Sequence, residues 1–369
     1  MLTAALFLSA GAPLAAHFGS AALAATRARR RGAPTGRPFR PFISLLRPVK
    51  GLDAFDLETL ESSFTQDYRA YEVIFCAASP DDPACAPIRA MIAAHPEVPA
   101  RLLVGETRIT ANPKLNNLAK GVAAARSDWL AMADANLLLA PDYLAGLADS
   151  WQGDTGLVSG PALGARAENI WGAVECAFLN TSQARWQLAA DALGIGFAQG
   201  KTMFWNARVL AAGGGLGALG RNMAEDVAAT KLVRAQRLKV RLPATTSVQP
   251  VGRRSLTAVW QRQLRWSRVR RDGFPGLFVA EIAQGPALGF VSLLAFALLG
   301  AAPLWAAAAF LALWYGAEAG FAHALGLTLG PRDLAAMVLR DVAQPAIWVA
   351  TFARRGFEWR GNDMAAAPV

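Results

Sequence analysis

Trp129-Leu-Ala-Met-Ala-Asp134 is a short apolar run that ends on a carboxylate. A run of this length fits a strand covered on both faces, with the charge exposed at its carboxyl end. Working back from it, the pattern predicts a helix over Asn112–Ala125 entered through Pro113, and a strand at Ala100–Gly105. A helix at Ile88–His95, a strand at Tyr71–Cys76, a helix at Leu52–Phe64 and a strand at Phe42–Leu46 precede them. Strands alternating with helices over this length define an α/β, doubly wound parallel sheet. Such sheets bind ligands at the carboxyl ends of their strands. Those ends carry Arg47 and Lys50, Asp81 and Asp82, and Asp134.

Working forward, Gly156–Gly160, Gly200–Asn206 and Lys239–Leu242 read as further strands, and Asn169–Leu193 as an apolar helical stretch. The Gly-rich run Gly213–Gly217 precedes Met223-Ala-Glu-Asp-Val-Ala-Ala-Thr-Lys231, a short helix opening on the acidic pair Glu225 and Asp226. No G-x-G-x-x-G follows the first strand and no G-x-x-x-x-G-K-[ST] occurs, which argues against dinucleotide and P-loop sites.

The chain has 369 residues, 54% hydrophobic and 17% charged, with a net charge of +10. That balance predicts membrane segments beside an anionic surface. Cys76, Cys85 and Cys176 form no disulfide framework, which points to a reducing compartment. His17, His95 and His323 are scattered, so acid–base chemistry falls to carboxylates.

Leu2–Ala25 is apolar and long enough to cross a bilayer, and the basic Thr26–Arg31 follows it. Charges placed after the apolar run favour an uncleaved anchor over a signal peptide and put the following domain in the cytoplasm. Gly32–Pro41 reads as a linker. Trp260–Arg271 interleaves Trp and Arg in a helical setting, suiting nucleic acid or an interfacial helix. The apolar sequence after it decides for the membrane and against nucleic acid. Val279–Leu299 and Leu304–Leu325 read as two spans, with Glu281 and Glu318 in or beside them. Asp333–Phe352, with Arg340, Asp341 and Pro345, suits a third span or an interfacial helix. The expected organisation is an anchor (1–26), a catalytic domain (38–250), an amphipathic Arg/Trp segment (251–275), transmembrane helices (276–355) and a tail (356–369).

An Asp at a strand end can reach a divalent ion bound to a diphosphate, and a second Asp can act as base towards an acceptor hydroxyl. Arg can neutralise a departing diphosphate, and Trp can pack on sugar or lipid. Together these groups suit sugar transfer from a nucleotide diphosphate.

The chain resembles the ceramide glucosyltransferase family. The resemblance lies in Ile43-Ser-Leu-Leu-Arg-Pro-Val-Lys-Gly51, Gln66-Asp-Tyr68, Tyr71-Glu-Val-Ile-Phe-Cys76, Asp81-Asp-Pro-Ala84 and Asn112-Pro-Lys-Leu-Asn-Asn-Leu118. It continues in Asp134, Ala224-Glu-Asp226 and Arg262-Gln-Leu-Arg-Trp266. It implies a GT-A catalytic domain flanked by transmembrane helices. It further implies that Asp82 contacts the uridine of a UDP-sugar and that Asp134 helps hold Mg2+ or Mn2+ and the sugar diphosphate. Asp226 is implied as the base, with Arg262, Arg265 and Trp266 near the diphosphate and acceptor entrance. Arg47, Lys50, Lys114 and Asn117 are implied neighbours of the donor. Asp134-Ala-Asn136 replaces the commoner Asp-x-Asp, so metal binding rests on Asp134, with Asn136 in support.

The expected activity is inverting transfer of a hexose, glucose from UDP-glucose first, to the hydroxyl of a membrane lipid, ceramide first. Diacylglycerol and hopanoid acceptors are alternatives, and a polysaccharide synthase is a more distant one. The expected location is a membrane, the bacterial inner membrane by composition, with the catalytic domain cytoplasmic.

Overall fold

A computed structural model describes residues 5, 7–29, 39–359 and 362–364. Most of the expected linker, part of the N-terminal anchor, Arg30, Arg31 and Arg360 lie outside the described residues. The chain forms two compact units. One is a sheet unit of Arg30–Arg166, Leu193–Gly252 and Gly356–Val369; the other is a helical unit of Met1–Arg29, Ala167–Ala192 and Arg253–Arg355.

The sheet unit contains β1 (Ile43–Val49), β2 (Tyr71–Ala77), β3 (Ala100–Val104), β4 (Trp129–Ala133) and β5 (Thr155–Val158). β6 (Ala162–Ala167), β7 (Thr202–Asn206), β8 (Lys239–Arg241) and β9 (Ser247–Gly252) follow. Seven strands form one sheet in the order β3-β2-β1-β4-β7-β5-β8, and β6 pairs with β9 separately. β1, β2, β3 and β4 are parallel, with Leu46 opposite Ile74 and Met132. That bears out the parallel arrangement expected over 42–134; β7, beyond that stretch, runs antiparallel to both β4 and β5. The sheet is therefore mixed, and the Gly200–Lys201 entry to β7 lies at the carboxyl end of β4.

Alternation along the strands divides the core in two. Leu45, Val73, Phe75, Ala131 and Phe204 face one side, and Leu46, Ile74, Cys76, Met132 and Trp205 the other. Helices cover both faces, so β1, β2 and β4 read as near-continuous apolar runs. The helix Pro113–Ala124 carries Pro113 in its first turn, and the Asn112 side chain caps it by accepting from the Lys114 N–H at 2.9 Å.

In the helical unit, Ala12–Arg29, Trp305–Ala324 and Pro331–Thr351 are long helices, and Leu256–Gly273 holds the Arg/Trp segment. Among the described residues, no single helix is long and apolar enough to cross a membrane. The expected span Val279–Leu299 is broken: Pro275–Ala283 and Ala287–Leu298 meet the length and composition of a span only as a pair bent by 44°. Two of the longer helices carry charge. Glu318 lies in Trp305–Ala324, and Arg340 and Asp341 in Pro331–Thr351. One cation serves both carboxylates: Arg340 Nη2 donates to Glu318 at 2.8 and 3.0 Å, and Arg340 Nε to Asp341 Oδ1 at 2.9 Å. Glu281 is paired with Arg270 at 2.7 Å.

Candidate active site

The site grows from the end of β4. Asp134 follows that strand, and its N–H donates to the Lys201 carbonyl at 3.0 Å, which joins it to the entry of β7. Its side chain, 27% exposed, accepts from Lys114 Nζ at 2.7 Å and meets Lys201 Nζ at 3.6 Å. Lys201 Nζ also donates to Asn136 Oδ1 at 3.2 Å. Burial alone would raise the Asp134 pKa, but the Lys114 and Lys201 charges outweigh it and hold the carboxyl below its ordinary value.

Lys114 is the hub. Besides Asp134, its ammonium group meets Glu225 Oε1 at 2.8 Å and the Gly200 carbonyl at 2.6 Å. An ammonium has three hydrogens, so these three acceptors use them all. Burial would lower the Lys114 pKa, yet Asp134 and Glu225 raise it above the ordinary value. Glu225 is held from its other oxygen by Asn112 Nδ2 at 2.9 Å.

Asp226 is next to Glu225 at the start of the helix Glu225–Ala235. Its Oδ2 accepts from the Gly200 N–H at 3.0 Å and its Oδ1 from the Val227 N–H at 2.8 Å. Burial first, and the adjacent Glu225 charge second, raise its pKa to about 6. The two N–H donors and Lys114 oppose that rise without cancelling it. The result is a carboxylate that titrates close to neutrality, as a general base requires.

The remaining expected donor residues fall into two groups. Asp82 accepts from the Gly51 N–H at 2.9 and 3.1 Å and from the Ala84 N–H at 3.0 Å, so it ties the loop after β1 to the loop after β2. Gly51 has φ +73, which suits glycine there, and Lys50 beside it is exposed. Arg47 and Asn117 face inward instead. Arg47 is fully buried, and its Nη2 donates to the carbonyls of Thr59, Ala135 and Leu137 at 2.8, 3.0 and 3.1 Å. Burial lowers its pKa to about 10. Asn117 Nδ2 donates to the carbonyls of Val49 and Cys76 at 3.2 and 2.5 Å. Both residues shape the crevice from beneath by fixing main chain at the strand ends.

Arg262, Arg265 and Trp266 lie in the helical unit, on the helix Leu256–Gly273. Arg262 pairs with Glu175, which is fully buried.

Sequence reasoning left out Lys201. Its only signal was a polar entry to an apolar strand, and that entry reaches Asp134 because β7 runs antiparallel to β4.

At the β4 end the oxygen donors are one partly exposed carboxylate, Asp134, which also meets Lys114 and Lys201, and the Asn136 Oδ1, which accepts from Lys201. No group of three or more His, Cys, Asp or Glu suited to a metal occurs among the described residues.

This mixed α/β sheet is the fold of GT-A glycosyltransferases. A mannosyltransferase from Pyrobaculum calidifontis, solved with GDP-Man and Mn2+, superposes with a TM-score of 0.56 at 20% identity, covering 91% of this chain and 99% of that one. The model of glycosyl transferase family 21 matches residues 11–368, and the chain belongs to that family. It is 27% identical over 249 residues to ceramide glucosyltransferase 1 of Caenorhabditis elegans, covering 67% of this chain and 53% of the relative. It is 39% identical over 99 residues to a ceramide glucosyltransferase of Komagataella phaffii, covering 26% and 19%. The chain thus spans about half the length, or less, of these curated relatives.

Proposed function

We propose that the protein is an inverting, UDP-sugar-dependent glycosyltransferase that moves a hexose, glucose first, onto the hydroxyl of a membrane lipid, ceramide first. The observation that carries this reading is the Asp226 carboxylate, fixed by the Gly200 N–H at 3.0 Å and titrating at about 6 beside the Lys114–Asp134 pair. Asp226 takes the acceptor hydroxyl proton as the hydroxyl oxygen bonds to the anomeric carbon. The bond from that carbon to the diphosphate oxygen breaks, and UDP leaves with the electron pair. One displacement inverts an α-linked donor to a β-glycoside, so no covalent enzyme intermediate forms.

Asp82 is assigned to the uridine, with Lys50 beside it. Asp134 and Asn136 would hold a divalent ion, which supplies positive charge to the diphosphate. Arg262 and Arg265 are assigned to the same leaving group and Trp266 to the acceptor entrance. The helical unit serves as membrane attachment, the catalytic domain facing the cytoplasm. The bent helix pair 275–298 and its exposed Leu277, Val279, Val291 and Leu298 support that assignment.

The test is membranes carrying the protein, fed labelled UDP-glucose, with products resolved by lipid chromatography and mass. A β-hexosyl lipid supports the reading, and its absence beside released soluble polymer rejects it. Asp226→Asn must keep UDP binding and lose turnover.

A further inference from the structure

We propose that Lys114 is a positioning residue that holds Asp134 and the Glu225–Asp226 pair as one rigid group, and that it is not a ligand of the donor phosphates. The inference rests on Asp226 being the base.

Three observations support it. All three ammonium hydrogens of Lys114 already have protein acceptors: Asp134 at 2.7 Å, Glu225 at 2.8 Å and the Gly200 carbonyl at 2.6 Å. A phosphate could take one only by displacing one of these partners, and the Lys114 side chain is itself only 10% exposed. The acceptors come from three separate segments: the end of β4, the start of the Glu225–Ala235 helix and the turn before β7. Gly200 links the lysine to the base, because the same residue offers its carbonyl to Lys114 and its N–H to Asp226. Moving the ammonium therefore moves both the group that faces the donor and the group that faces the acceptor.

Positioning has a different kinetic signature from binding. A misplacement of about 1 Å can cost about 100-fold in turnover while leaving ground-state contacts intact. In the full chain, Lys114→Met is expected to lower kcat about 100-fold with the Kd for UDP changed by less than about threefold. Lys114→Met strands Glu225 without its cation, so adding Glu225→Gln is expected to recover about tenfold in kcat. Weakening of UDP binding by about tenfold or more, with kcat at saturating donor unchanged, overturns the proposal and makes Lys114 a donor ligand. If Lys114→Met does not fold, Glu225→Gln alone decides. A lower kcat with unchanged UDP binding supports the clamp, and an unchanged kcat overturns it. Asp226→Asn is measured alongside. Full turnover in that variant removes the base reading and this inference with it; a dead Asp226→Asn beside a Lys114→Met that keeps its kcat overturns the inference alone.

Discussion

Asp226 and Gly200 are joined by a hydrogen bond from the Gly200 N–H to Asp226 Oδ2 at 3.0 Å. This bond fixes the carboxylate against the strand entry that also carries Lys201, so the orientation of the proposed base does not depend on its own rotamer alone. Burial and Glu225 raise the Asp226 pKa to about 6 from an ordinary 3.8. A base must be ionised to accept a proton, so kcat is expected to fall about tenfold per pH unit below about 6. A pH series at saturating UDP-sugar measures it, and a flat profile down to pH 5 rejects the assignment.

The same shift makes a stability prediction of opposite sign to its effect on activity. The folded pKa lies above the ordinary value, so the proton is held more tightly in the folded state. That stabilisation is fully present below the unfolded pKa and is lost as pH rises through about 6. At neutral pH the ionised Asp226 is thus a cost, at most about 3 kcal/mol. Asp226→Asn is expected to raise the melting temperature at pH 7.5 while abolishing turnover, and the gain should vanish at pH 4.

Gly200→Ala tests the crowding around that residue. A Cβ there would lie 2.8 Å from Glu225 Oε1 and 3.6 Å from Lys114 Nζ, so the Glu225 carboxylate must shift. Turnover is expected to fall about tenfold or more, by misplacement of neighbouring groups. UDP affinity should stay close to that of the parent. Equal losses in both would show that the turn serves the donor instead.

The strand-end placement of Asp82 and Asp134 was legible in the sequence because parallel strands place their carboxyl ends together. Once the alternating pattern was read, Asp82 and Asp134 fell at the same edge of the sheet. The direction of β7 was not legible, since Gly200–Asn206 has the same apolar content whether it runs with β4 or against it. That hid Lys201, which reaches Asp134 only through the antiparallel pairing. Arg47 illustrates the reverse problem. A basic residue near a strand end reads as a ligand group, yet only the packed structure shows it buried under the 135–137 loop. In the helical unit, hydropathy marked the apolar lengths but could not pair Glu318 with Arg340 across 22 residues.

Asp82 holds the loop after β1 through the Gly51 N–H, at 2.9 and 3.1 Å. Asp82→Ala leaves that N–H and the Ala84 N–H without their acceptor. A hydrogen bond to a charged acceptor contributes about 1.5–3 kcal/mol, less where solvent can replace it. We expect a loss of about 1 kcal/mol in unfolding free energy. Calorimetric UDP affinity is expected to weaken about tenfold if the same carboxylate meets the uridine. Stability lost without any change in UDP affinity would make Asp82 a loop tie only.

Arg340 is 2% exposed and holds two carboxylates, Glu318 and Asp341, while its Nη1 donates to Thr181 Oγ1 at 2.6 Å. Removing the guanidinium leaves two buried carboxylates without the cation they share. Breaking such a buried group costs about 3–5 kcal/mol, far more than the intact group contributes against an apolar replacement. Arg340→Met is therefore expected to lower the melting temperature in detergent sharply. The triple change Arg340→Met, Glu318→Gln, Asp341→Leu removes the charges together and is expected to recover most of the loss. Recovery would show that the charges are there as one set. A triple variant as unstable as Arg340→Met would instead mean that the hydrogen bonds to Thr181 and the Ala177 carbonyl carry the stability.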